Sequence, residues 1–229
     1  MPNNFLKRIV TSFFLIITLL IINFASSLIF ISSILILGAI VCYEFNNIFS
    51  KIVILKIPQN KTRTKKINFT FLILNMTSFF YVFFIFCQYA YEIHRLDGPI
   101  FFLYVLSICF FTDIGGYIFG KIIGGKKLTK ISPNKTISGS AGSFIFSILP
   151  LVIFLNLGYL DLELSSNNII FCFLVSFISQ SGDLFVSFLK RKAKIKDTGK
   201  LLPGHGGVLD RVDGIVFAVP FSYFLLKFI

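Results

Sequence analysis

Residues 28–49 read LIFISSILILGAIVCYEFNNIF, an apolar run with a single charged side chain, Glu44. A stretch of about 20 such residues is what a helix needs to cross the hydrocarbon core of a bilayer. The run has company. Further apolar segments lie at about Ile9–Phe24, Phe69–Cys87, Ile100–Gly120, Thr136–Leu157, Ile169–Leu189 and Gly214–Phe228. Hydrophobic residues make up 55% of the chain, the mean hydropathy is +0.86, and only 14% of residues are charged. A soluble domain carries about 25%. These runs predict an all-α, polytopic integral membrane protein with about seven spans, and weakly marked or broken helices leave room for eight or nine crossings. Lys7 and Arg8 lead into the first run as in a signal peptide, but no convincing small-x-small cleavage site follows, so the segment is expected to be retained.

The net charge of +12 could point to nucleic acid, but the cations are sorted by topology. Of the 22 Lys and Arg, all but Arg95 and Lys227 fall before the first run, in Ser50–Asn68, in Lys121–Lys135 or in Lys190–Asp213. The alternate loops carry Glu92, Asp97, Asp161 and Glu163 instead. Basic loops face the cytoplasm, so an N-in chain of seven spans accounts for this distribution, and no nucleic-acid partner is expected. Cys42, Cys87, Cys109 and Cys172 lie in apolar segments without paired spacing, so they are expected to be buried membrane thiols, not a disulfide framework or a zinc site. By motif the chain divides into 1–68 (two helices and a basic loop of six cations that suits lipid headgroups), 69–135 and 136–229.

Against this greasy background Ser187–Asp213, SFLKRKAKIKDTGKLLPGHGGVLDRVD, is crowded with charge. A basic, acid-punctuated, glycine-hinged loop at a membrane surface suits a polyanion such as a nucleoside triphosphate and its metal. Acids inside a membrane are costly and mark function; Glu44, Asp113 and Asp183 are the three. Asp183 stands one turn before Ser187 and two before Lys190, on one helical face. Asp210 and Asp213, spaced i, i+3, can point at one cation, although either could also cap the final helix. Gly204, Gly206 and Gly207 permit close backbone approach to phosphates. His205 reads as a phosphate donor or a turn-fixing residue, because an ionised phosphate nucleophile needs no general base. The second basic loop holds Asp113, Gly115, Gly116 and Tyr117, then Gly120-Lys121, then Ser132-Pro133-Asn134-Lys135-Thr136. Gly120–Lys127 nearly spells a P-loop but follows a membrane helix and lacks the Ser/Thr. Gly116, Gly120 and Gly124, spaced by four, could let helices pack closely.

The Ser187–Asp213 run resembles the signature of the phosphatidate cytidylyltransferases: Ser187, Leu189, Lys190-Arg191, Lys196-Asp197, Gly199, Leu202-Pro203, His205-Gly206-Gly207-Val208 and Asp210-Arg211-Val212-Asp213 fill its fixed places. The Asp113–Thr136 block and Tyr43-Glu44-Phe45 are similar to further family elements, with Ser138 where the family often carries Glu or Gln. The resemblance implies transfer of a cytidylyl group from CTP to phosphatidate, giving CDP-diacylglycerol and diphosphate, in a bacterial inner membrane with the site on the cytoplasmic side. It implies Mg²⁺ held by Asp183 and Asp210, with a second cation if Asp213 ligates. Lys196, Asp197, His205 and Asp213 fall to the catalytic set by the same resemblance. Asp113, Lys135, Ser187, Lys190, Arg191, Gly206, Gly207 and Arg211 fall to substrate binding, and a homodimer is favoured. A CTP-dependent lipid kinase and an anion transporter are the competing readings. The CDP-alcohol phosphotransferase pattern is excluded, since Asp213-Gly214 is followed by no Arg and no later acids.

Overall fold

A computed structural model describes residues 2–55, 64–129, 131–158, 160, 163–204 and 206–228, with side chains described from Val10 and, after the first gap, from Phe69. Among the described residues ten α-helices run in order: α1 Pro2–Asn23, α2 Ser27–Ile54, α3 Thr64–Phe80, α4 Gln88–Leu96, α5 Gly98–Ile122, α6 Ile137–Phe146, α7 Leu149–Leu157, α8 Ser166–Lys192, α9 Leu209–Val212 and α10 Ile215–Leu225. Among the described residues there is no strand, only two isolated bridges, Lys127 with Thr136 and Leu202 with Gly206. The protein is an all-helical polytopic membrane protein. Among the described residues five helices are long and apolar enough to cross a bilayer, the α6–α7 segment counting as one. The first apolar run lies in α1, Pro2–Asn23, of which Val10–Asn23 has described side chains. At 1.5 Å per residue the last, α10, rises only about 16 Å.

Two local departures from the expected segments have clear causes. The helix expected to end at Cys87 continues to Leu96 through a π-helical stretch, Tyr81–Cys87. The polar sequence after it, QYAYEIHRL, is amphipathic: Ala90, Ile93 and His94 are buried, while Glu92 and Arg95 form an ion pair of 3.0 Å one turn apart. The Thr136–Leu157 segment is broken between Phe146 and Leu149, just before Pro150, which has no N–H to give to the carbonyl four residues earlier.

The helices form two compact units. The first holds Met1–Gln88 and Leu189–Val212. Its long element, α2, buries Phe30, Ile34, Gly38, Val41, Phe45, Ile48 and Ile52, a run at spacings of three or four that lines one helical face. Gly38 lets the π-helical stretch approach: a Cβ there would stand 2.7 Å from Cys87 Sγ. Cys87 in turn directs its thiol at the Ile34 carbonyl, 3.5 Å away.

The second unit holds Tyr89–Phe188 and Asp213–Ile229. Its core is aromatic at one end, where the Tyr104 ring stacks on Phe171 and meets Phe154 edge-on. Further along the helices it becomes polar. Thr112 donates to Ser176 (2.9 Å), Ser143 to the Thr112 carbonyl (2.8 Å) and Ser140 to Gln180 (2.6 Å). Such hydroxyl bonds between helices substitute for a hydrophobic drive that lipid does not provide. The α5–α6 seam is lined by small residues. A Cβ on Gly115 would lie 2.5 Å from the Gly142 carbonyl oxygen, and one on Gly142 would run into the Phe119 ring. Gly116 and Gly120 face α6 as their spacing suggested, whereas Gly124 has open space around it and a left-handed φ of 62°. The described cysteines are free, with Cys87, Cys109 and Cys172 buried.

The seam has no slack for a branched side chain. Gly142→Val should lower thermal stability in detergent by about 1–3 kcal/mol, the usual range for overpacking. Ile145→Val, on the exposed face of the same helix, should leave the melting midpoint unchanged; equal midpoints for both variants would show that the seam is not tightly packed.

Candidate active site

Helix α8 is stopped by its backbone. Ile195 N–H returns to the Lys190 carbonyl and Lys194 N–H to that of Arg191, with Lys194 in the left-handed region at φ 54°. This is the 6→1, 5→2 pattern that closes a helix C-terminus, with lysine where glycine is usual. The chain then enters the signature loop, whose tip is clamped by paired bonds between Leu202 and Gly206. Gly204 (φ 77°) and Gly206 (φ 91°) supply conformations that residues with a Cβ avoid.

Inside the first unit one carboxylate organises the loop. Asp210 Oδ1 takes the Lys190 ammonium at 2.7 Å, and Oδ2 accepts from the backbone N–H of Thr198 (2.8 Å) and of Gly207 (3.0 Å). Burial alone would raise this carboxyl, yet the hydrogen bonds from Lys190, Thr198 and Gly207 and the lysine charge outweigh it and hold the group below its ordinary value. Behind it sits Glu44 from α2, with no exposed surface. Its Oε2 accepts from the Thr198 hydroxyl (2.5 Å) and Leu209 N–H (2.9 Å), and its Oε1 from Val208 N–H (3.0 Å). Glycine is required at 199 and 207 for the same reason: a Cβ at either position would collide with the Glu44 carboxylate.

The outer side of the loop is a basic cavity of about 520 Å³. Lys196, Lys200 and Arg211 contribute its cations and Asp197 its acid, and the Leu202–Gly206 turn forms part of its wall. A volume of this size is in the range of small-molecule sites. Lys196, Asp197 and Arg211 thus line one cavity, and Lys200, an unassigned member of the same charged run, joins them. Gly206 lines the cavity, but its N–H pairs with the Leu202 carbonyl and that of Gly207 with Asp210, so these amides hold the loop's own acceptors. Arg191 is exposed at the end of α8. His205 lies outside the described residues, as do Asp161 and Lys130.

The remaining expected site residues belong to the second unit. Asp183 forms an ion pair with Lys135 through Oδ2 and accepts from the Ser187 hydroxyl at Oδ1 (3.3 Å). Lys135 is presented by the Ser132–Lys135 turn, and Thr136 directly after it caps α6 by accepting from Gly139 N–H at 3.0 Å. Asp213 accepts from the N–H of Gly214, the residue just before α10, at 3.0 Å, and no side chain caps that helix. Asp113 is exposed on α5 next to the fully buried Thr112.

Among the described residues no three His, Cys, Asp or Glu side chains gather into a ready-made cation cage. Mg²⁺ does not need one: it is commonly held by one or two carboxylates, with water and substrate phosphate completing its shell. Asp210 and Asp183 fit that pattern, since each turns one carboxylate oxygen towards a lysine ammonium, a single positive charge where a divalent cation could substitute.

A model described as the Cytidylyltransferase family matches residues 48–229. Curated relatives include the phosphatidate cytidylyltransferase of Bacillus subtilis (strain 168), 42% identical over 142 residues that make up 61% of this chain and 52% of that protein. The protein of the same name from Staphylococcus haemolyticus (strain JCSC1435) is 44% identical over 138 residues, 58% of this chain and 51% of its own. That of Helicobacter pylori (strain J99 / ATCC 700824) is 36% identical over 140 residues, 61% of this chain and 52% of its own. The chain spans about half the length of the curated relatives it matches. The family match runs from the end of α2 through the second unit and the whole signature loop, and on it the chain belongs to the cytidylyltransferase family.

Proposed function

We propose that the chain acts as a phosphatidate cytidylyltransferase, with CTP and phosphatidate as substrates and CDP-diacylglycerol and diphosphate as products. The observation that supports this most is the basic cavity built on the signature loop, together with the name its curated relatives share. A phosphatidate oxygen attacks the α-phosphorus of CTP; the new P–O bond forms as the bond to the β-phosphate oxygen breaks, and the electron pair leaves with diphosphate. Both reactants are polyanions, so repulsion and alignment are the main obstacles, and positioning with electrostatic stabilisation is what such a transfer requires.

In this reading Lys196, Lys200 and Arg211 take the triphosphate against the turn, and Lys190 keeps Asp210 charged and oriented. Asp197, in the same lining, offsets part of the repulsion among the neighbouring cations. No residue has to remove a proton, since a phosphate monoester oxygen is already ionised near neutral pH. Asp210 in the first unit and Asp183 in the second are each an acid that would hold Mg²⁺, which when bound supplies neutralisation of the triphosphate and polarisation of its phosphorus. Lys135 and Ser187 orient Asp183. The acyl chains of phosphatidate stay in lipid, and the concentration of Lys and Arg in alternate loops implies a cytoplasmic site, where CTP is found. A second copy of the chain as partner belongs to the same reading.

The test uses purified protein in detergent with phosphatidate, Mg²⁺ and CTP labelled in the cytosine or in the γ-phosphate. Cytosine label entering lipid, with diphosphate released, is the expected result; γ-label in lipid would make the chain a CTP-dependent lipid kinase, and no transfer by a folded sample would favour an anion transporter. Asp210→Asn should cut turnover by about 100-fold or more, as expected when a group aimed at the reacting charge is lost. Near-normal turnover in a folded Asp210→Asn sample would remove Asp210 from the reacting centre. Lys200→Ala should raise KM for CTP several-fold with a smaller change in kcat, and an unchanged KM would take the triphosphate out of this cavity.

A further inference from the structure

We propose that Glu44 and Thr198 are a positioning pair for Asp210: the buried Glu44 carboxylate captures the Thr198 hydroxyl proton and so sets how Asp210 presents its Lys190-facing oxygen. The proposal rests on the cytidylyltransferase reading for its kinetic consequence, and on the first unit alone for its geometry. Thr198 Oγ1 stands between two acids, 2.5 Å from Glu44 Oε2 and 3.1 Å from Asp210 Oδ2. A hydroxyl has one proton to donate. The shorter contact is with Glu44, so Asp210 Oδ2 is left to the backbone N–H groups of Thr198 and Gly207. Those two amides fix the carboxylate plane and turn Oδ1 towards Lys190.

The carboxylate of Glu44 is expensive to bury, and its three donors all come from the signature loop. Two of them, Val208 and Leu209 N–H, lie immediately before Asp210, so Glu44 holds the backbone from which that side chain springs. The third, Thr198, holds the strand of loop on the other side of the same carboxylate. Glu44 and Thr198 are 0% and 3% exposed, so neither reaches the cavity. Both act through Asp210.

The test separates positioning from simple support of the loop. Thr198→Val keeps the shape of the side chain and removes its hydroxyl; Thr198→Ser keeps the hydroxyl. With Thr198→Val, kcat should fall about tenfold, the loss of one hydrogen bond to a charged group. The Mg²⁺ concentration for half-maximal rate should rise, and KM for CTP should stay near wild type because Lys196, Lys200 and Arg211 are untouched. Thr198→Ser should restore both values. Backbone amide exchange in the substrate-free protein gives a readout independent of turnover. Positioning requires faster exchange at Thr198 and Gly207, bonded to Asp210, with protection kept at Val208 and Leu209, bonded to Glu44. Equal loss at all four amides, or a fall in kcat matched by a rise in KM for CTP, would reduce the pair to a scaffold and overturn the proposal. So would a Thr198→Val protein indistinguishable from wild type. If wild-type protein failed to move cytosine label into lipid, the cytidylyltransferase reading would fall, while the amide pattern would still decide whether the pair orients Asp210.

Discussion

The signature loop depends on how two buried carboxylates are satisfied. An ionised acid withdrawn from water without partners costs several kcal/mol. Glu44 and Asp210 avoid that cost by collecting hydrogen-bond donors from one short segment, the backbone of residues 198 and 207–209 together with the Thr198 hydroxyl and the Lys190 ammonium. The loop has no sheet or long helix to use its amides, so these two side chains replace secondary structure. Its basic outer face can then hold several like charges together, because the inner face is anchored to acids.

The two units meet the membrane problem by different means. In the first, α2 runs a regular apolar face against the helices around it and turns its one acid, Glu44, to the loop. In the second, close packing comes from small residues along α5 and α6, and serine, threonine and glutamine hydroxyls and amides join the helices. Breaks in helical regularity follow from local chemistry in both: the π-helical stretch near Gly38, the interruption before Pro150, and the left-handed turn at Lys194.

Much of this was legible in the residues. The apolar runs defined the helical, membrane-spanning class, whereas the break before Pro150 shows only in the fold. Asp210, Lys190, Lys196 and Arg211 stand out in a charged segment flanked by grease. Glu44 stood out because a membrane helix rarely carries an acid. What it bonds to was hidden, because its partners lie 154 to 165 positions away in a segment with no periodic pattern. Thr198 was harder still, since it occupies an unconstrained place in the signature and acts by a hydroxyl that any surface threonine also has. The glycines at 206 and 207 suggested amides open to a phosphate; the amides are taken up by Leu202 and Asp210, a choice made by folding and not by composition. The link Gln88–Pro99 looked like a loop because it is polar, but three well-spaced buried residues were enough to keep it helical.

The separation of Glu44 from its donors has a consequence for biogenesis. Helix α2 is made early, and Thr198, Val208 and Leu209 emerge only after more than 150 further residues. At synthesis rates of about 5–20 residues per second that interval is roughly 10–30 seconds. For that time the nascent chain carries an acid in a membrane helix whose final hydrogen bonds do not yet exist, so Glu44 cannot reach its mature environment until those donors arrive. The loop can therefore close on Glu44 only after the residues that supply its donors have been made.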